Sequence, residues 1–197
     1  MPGKIALMLF GVLMSGGLFV QALHCQAAEQ PPLEGEILPE ITLPIPDEPK
    51  EREYLGLNGK GTFKIPKIKA DVVIVEVFSM YCPFCQKEAP NVNALYRIID
   101  ENEDLKQRIK IVGIGAGNSA FEVNTFRSAY GIRFPLFADM DFTIHEAMGK
   151  VRTPYFVVIK IDKNGSHKII YSKVGSIGDA RSFMQFVAKE SGLTKGM

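Results

Sequence analysis

A surplus of charge is what this chain most clearly lacks: 23 Lys and Arg stand against 22 Asp and Glu, a formal net charge of +1 over 197 residues. That balance leaves no electrostatic footprint for nucleic acid, which is not expected as a partner. Internal repeats and long charge runs are also missing, so neither a solenoid nor a charged disordered tail is implied. There is no tryptophan, and there are only three histidines and three cysteines. No paired histidines stand at ligand spacing, which argues against zinc. No metal and no cofactor is expected beyond a redox-active pair of cysteines.

One apolar run is long. Lys4 precedes residues 5–23, almost wholly apolar, and Cys25-Gln26-Ala27 or Gln26-Ala27-Ala28 offers small residues for signal peptidase. Residues 1–28 therefore read as a signal peptide for export to the periplasm or another extracytoplasmic space. Two alternatives stay open: an uncleaved membrane anchor, since about 19 apolar residues suffice to span, and lipidation at Cys25, against which the bulky His24 argues. Cleavage would discard Cys25 and leave an even pair, Cys82 and Cys85, which suits an oxidising compartment. Residues 29–54 hold Pro31, Pro32, Pro39, Pro44, Pro46 and Pro49 and read as an extended arm; a segment lying along the body, with residues 38–45 packed on it, is the alternative. Residues 55–197 are enough for one domain with a full core.

Cys82-Pro83-Phe84-Cys85 follows the apolar run Val72–Phe78 and opens a helical segment. Two cysteines so spaced face each other across the first turn of a helix, where unpaired N–H groups and the dipole favour a thiolate. Pro83 suits the first helical position, and Cys82 falls at the cap. Gln86, not histidine, follows Cys85, which excludes c-type haem attachment there. A permanent staple is disfavoured because so short a loop constrains little of the unfolded chain.

The remaining pattern predicts strands at 61–68, Val72–Phe78, 109–115 and 134–137, and helices at 83–102 and from Ser119, whose spacing to Glu122 is that of a capping box, to Gly131. A short helix at 142–148 precedes a hairpin of Tyr155–Ile161 and His167–Val174 turned by Asp162-Lys163-Asn164-Gly165, and a final helix runs over 177–191. His145 and His167 read as ordinary surface or core residues.

The strand ending in Cys-Pro-Phe-Cys resembles the active-site strand and helix start of the thioredoxin fold. Pro90 stands where that fold kinks its active-site helix, Thr153-Pro154 where it carries a cis-proline, and Lys173-Val174-Gly175 where the chain enters its last helix. The resemblance covers roughly residues 55–191 and implies an α/β fold: a central mixed sheet flanked by helices, with an extra N-terminal strand and a βα insertion. It also implies that Cys82 is the nucleophile, that Cys85 resolves the mixed disulfide, that Glu76 is a buried acid beneath the dithiol, and that Thr153, Pro154 and Phe84 contact substrate. Cys-Pro-Phe-Cys-Gln-Lys-Glu88 matches the C-x-x-C-x-x-E pattern of TlpA/ResA-like proteins, in which the glutamate tunes the cysteines; an exposed helix glutamate is the alternative. That subfamily implies reduction of protein disulfides outside the cytoplasm, apocytochrome c among the substrates, with electrons from a membrane thiol–disulfide carrier. Tyr81 replaces the tryptophan frequent in that group, and proline comes first in the dipeptide, as in DsbA-like oxidants; this departure leaves the direction of electron flow open. A thiol peroxidase, suggested by Ser79 but not by Val75, and a copper-binding chaperone without turnover are further alternatives.

Overall fold

The computed structural model describes residues 30–193. The expected leader and Cys25 lie outside the described residues. Seven strands and six α-helices follow in the order β1 (Thr42–Pro44), α1 (Pro49–Leu55), β2 (Thr62–Lys64), β3 (Val72–Phe78), α2 (Pro83–Asp100), α3 (Glu103–Arg108), β4 (Ile109–Ala116), α4 (Ala120–Tyr130), β5 (Leu136–Asp139), α5 (Thr143–Ala147), β6 (Tyr155–Ile161), β7 (His167–Val174) and α6 (Ala180–Ser191).

β3 is buried along its whole length and takes the centre of a five-stranded mixed sheet, ordered β5-β4-β3-β6-β7. It pairs parallel with β4, Val72 opposite Ile109, and antiparallel with β6, Val75 opposite Val157. Successive strand side chains point to opposite faces, and the core divides accordingly. Val72, Ile74 and Phe78 pack with Val92, Leu95 and Ile99 of α2 and Phe183, Met184 and Val187 of α6. Val73, Val75 and Val77 face the other way, onto Leu43, Leu55, Phe63 and Ile65. Period two puts Glu76 on the first of these faces, under α2.

The second face is built by the segment that the proline content marks as an extended arm. Leu38, Ile41 and Leu43 are buried, β1 pairs with β2 as a separate two-stranded sheet, and α1 crosses the expected boundary at residue 54. The prolines shape this segment without unfolding it: Pro49 sits in the first turn of α1, where a missing N–H costs nothing. Further upstream, the Gly35 N–H donates to the Ile169 carbonyl and the Ile169 N–H to the Glu36 carbonyl, both at 2.8 Å. The chain thus lies along the outer edge of β7.

Other boundaries moved for local reasons. The expected strand at 61–68 is only three residues long and stands outside the central sheet, because Pro66 turns the chain into a 3-10 turn at Ile65–Lys67. The helix expected to reach residue 102 stops at Asp100; the Asn102 side chain accepts from the Asp104 and Leu105 N–H groups and so starts α3, which the periodicity did not separate. The final helix begins at Ala180, capped by Asp179, and ends at left-handed Gly192. The capping box of Ser119 and Glu122 is formed in full.

Candidate active site

β3 delivers the chain to a short loop whose every turn is tied down. The Cys82 N–H donates to the Ser79 carbonyl at 3.0 Å, and Cys82 caps α2 in extended conformation with Pro83 behind it. The Met80 N–H donates to Oδ1 of the fully buried Asn118 at 2.8 Å, and Gln86 Nε2 donates to the Met80 carbonyl at 2.8 Å. The exposed Tyr81 hydroxyl donates to Glu122 on α4. Sequence reasoning missed Asn118, Gln86 and Glu122 as supports of this loop. Asn118 lies in the Gly-rich turn after β4, and a polar amide directly after Gly117 and before the capping Ser119 was the available signal.

The two cysteines are free thiols in unlike surroundings. Cys85 lies one turn inward, fully buried among core residues, and burial pushes its thiol up to about 12. At partly buried Cys82, desolvation also acts upward, but hydrogen bonds from the Thr153 side chain and from the Cys85 and Phe84 N–H groups outweigh it, and the thiol is held below its ordinary value. Cys82 Sγ also lies 3.3 Å from the Thr153 carbonyl, and the Thr153-Pro154 peptide is cis. The arrangement sets a reachable sulfur whose thiol is held below its ordinary value beside a buried one pushed above it.

Two carboxylates underlie the pair. Glu76 is 2% exposed, and its Oε1 has no hydrogen-bond partner among the described residues. Burial, and then the charge of Glu88, push its carboxyl up to about 8, so it holds a proton at neutral pH. Glu88 is not the exposed helix glutamate weighed as the alternative: it is 6% exposed, and its Oε1 accepts from the Ile177 N–H at 3.0 Å and from Asn91 Nδ2 at 2.9 Å. It therefore ties α2 to the loop that enters α6.

A cleft of about 510 Å³ runs beside the dithiol, bringing together Phe84, Glu88, Thr153 and Pro154 as expected, and adding Lys87, Arg152 and Val174. Phe84 is 72% exposed at its rim. Among the described residues no three His, Cys, Asp or Glu side chains group to hold a metal ion. His145 bonds the Val151 carbonyl through Nε2 at 2.8 Å.

A family model described as the AhpC/TSA family matches residues 35–170. The chain is 25% identical over 140 residues to a thiol-disulfide oxidoreductase ResA of Geobacillus thermodenitrificans, covering 71% of this chain and 70% of the relative. A second ResA, from Halalkalibacterium halodurans, is 26% identical over 141 residues, covering 71% and 69%. Among solved structures, a thiol:disulfide interchange protein DsbE from Chlorobium tepidum superposes with a TM-score of 0.61 at 17% identity, over 82% of this chain and 99% of that one, which bears on the fold. The chain therefore belongs to the AhpC/TSA family of thioredoxin-fold proteins and is an enzyme, a thiol–disulfide oxidoreductase similar to ResA.

Proposed function

We propose that this enzyme reduces disulfides of cysteine-containing proteins outside the cytoplasm, with apocytochrome c as the substrate class, and that a membrane thiol–disulfide carrier restores its dithiol. The observation that carries the reading is the asymmetry of the two thiols. Cys82, reachable and held below its ordinary value, attacks a substrate disulfide; one substrate sulfur leaves as a thiolate and takes up a proton. Cys85 then loses its proton to the Glu76 carboxylate, in the fraction of molecules where that group is ionised, and attacks Cys82 Sγ. The second substrate thiol is released, the protein keeps the Cys82–Cys85 disulfide, and two electrons have passed to the substrate. Thr153, with its backbone beside Cys82, and Pro154 receive the substrate chain as an added strand, and Phe84 gives it an apolar surface.

Two features support reductase over disulfide donor. The ResA similarity is one. The other is that burial opposes thiolate formation at both sulfurs and prevails at Cys85, so the dithiol form gains no thiolate stabilisation at the inner sulfur. Equilibration with dithiothreitol buffers tests the direction. A reduction potential close to or below that of thioredoxin, about −270 mV, is expected; a value near that of DsbA, about −120 mV, would make the protein a disulfide donor and remove the cytochrome reading.

A further inference from the structure

The two clefts that flank Cys82 share a property that disulfide exchange itself does not require. One is the cleft of about 510 Å³ lined by Phe84, Pro154 and Val174. The other, about 570 Å³, lies beyond Thr153 and is lined by Tyr81, Phe142, His145 and Lys150 among others. Arg152 and Thr153 line both. An extended segment crossing the Thr153 backbone with its cysteine at Cys82 therefore passes Arg152 whichever cleft it enters.

Cations outnumber carboxylates in the linings of both clefts. Lys87 and Arg152 make no salt bridge or side-chain hydrogen bond among the described residues. No Asp or Glu lines the larger cleft. The smaller one has Glu88 alone, a buried carboxylate engaged with Ile177 and Asn91. Lys150 pairs with Glu146 at 3.7 Å, and Glu146 is outside both linings. The molecule as a whole is almost neutral, so this excess is local.

We propose that the occupant of these clefts is an extended polypeptide bearing an acidic side chain within two residues of its target cysteine, and that Arg152, with Lys87 beside Phe84, is the specificity-determining cation that reads it. The guanidinium offers a fork of donors to a carboxylate, while Phe84, Pro154 and Val174 give a neighbouring residue an apolar seat. Selectivity comes from differential contact beside the reacting sulfur, and it also spares the enzyme from basic chains. This inference rests on the protein-disulfide reductase reading.

The test uses the reduced full chain and nonapeptides whose single cysteine carries 2-mercaptoethanol as a mixed disulfide, with Asp, Asn or Lys two residues from the cysteine. Cys82 attacks the peptide disulfide, Cys85 completes the exchange, and the peptide thiol and 2-mercaptoethanol leave as the protein disulfide forms. The readout is the ratio of second-order rate constants for the Asp and Lys peptides within each protein, so a change in overall rate or in the folded fraction cancels. Wild type is expected to favour Asp about five-fold or more at low ionic strength. The ratio should fall toward one in R152Q, fall partly in K87Q, and shrink in about 0.5 M salt. A wild-type ratio near one, or a ratio unchanged in R152Q, overturns the proposal. Failure of the wild-type protein to reduce even hydroxyethyl disulfide overturns the reductase reading and this inference with it, whereas brisk reduction of that neutral disulfide with no peptide preference overturns this inference alone.

Discussion

At Glu76 a single side chain couples stability to pH. Its carboxyl titrates near 8 in the folded protein and in the ordinary carboxylate range when unfolded. Because the folded value is the higher one, the protonated form stabilises the fold below the unfolded value, and that contribution is lost as pH rises from about 4.5 through about 8. Glu76→Gln removes this dependence. Urea unfolding should show the variant more stable than wild type near pH 7, by on the order of 3 kcal/mol, and indistinguishable within error near pH 4. The same variant should slow the resolving half of disulfide exchange as pH rises toward 8, and an unchanged pH–rate profile would remove Glu76 from the mechanism.

Between elements, the active-site loop is held by Asn118, which reaches from the turn after β4 to the Met80 N–H in front of α2. Asn118→Ala leaves that half-buried donor without its protein partner, at a cost of about 1 kcal/mol. Since Met80 also accepts from Gln86, the loosened loop should raise the alkylation rate of Cys85 by iodoacetamide relative to that of Cys82. A stability loss with no change in that ratio would mean Asn118 supports the core alone. How far these links were legible in the sequence differs from one to the next. Glu76 stood out because a carboxylate breaks an apolar strand, and Pro83 and Cys82 because a helix start has its own chemistry. Glu88 was visible as a spacing, yet its partner, the Ile177 N–H, lies 89 positions away, and no local pattern brings the two together. Arg152 carried no signal beyond its place before Thr153-Pro154, since a lone arginine in a loop is usually solvated surface.

Across the whole molecule, the N-terminal segment follows the alternative reading, in which residues 38–45 pack on the body, rather than that of an extended arm. Proline content describes how a backbone bends, not what its side chains cover, and the alternation that buries Leu38, Ile41 and Leu43 was interrupted by Pro39 and Pro44. These residues close one face of the sheet on Val73, Val75 and Val77, so the segment belongs to the core. A chain lacking residues 30–45 should bind a hydrophobic dye and unfold at markedly lower temperature, because each fully buried aliphatic side chain contributes about 1.5–3 kcal/mol. A cooperative transition within a few degrees of the full-length protein would show that β2 and α1 cover that face unaided.

The hydrogen bonds between Gly35, Glu36 and Ile169 carry a consequence for a molecule proposed to bind extended chains. A sheet with bare margins would recruit strands indiscriminately, its own copies included. Here one margin is occupied by the chain itself, and the other, β5, is only four residues long. On the proposed function, clients would thereby be steered away from the flanks and toward the backbone beside Cys82, so that adhesion would be confined to the place where an encounter can end in electron transfer and release.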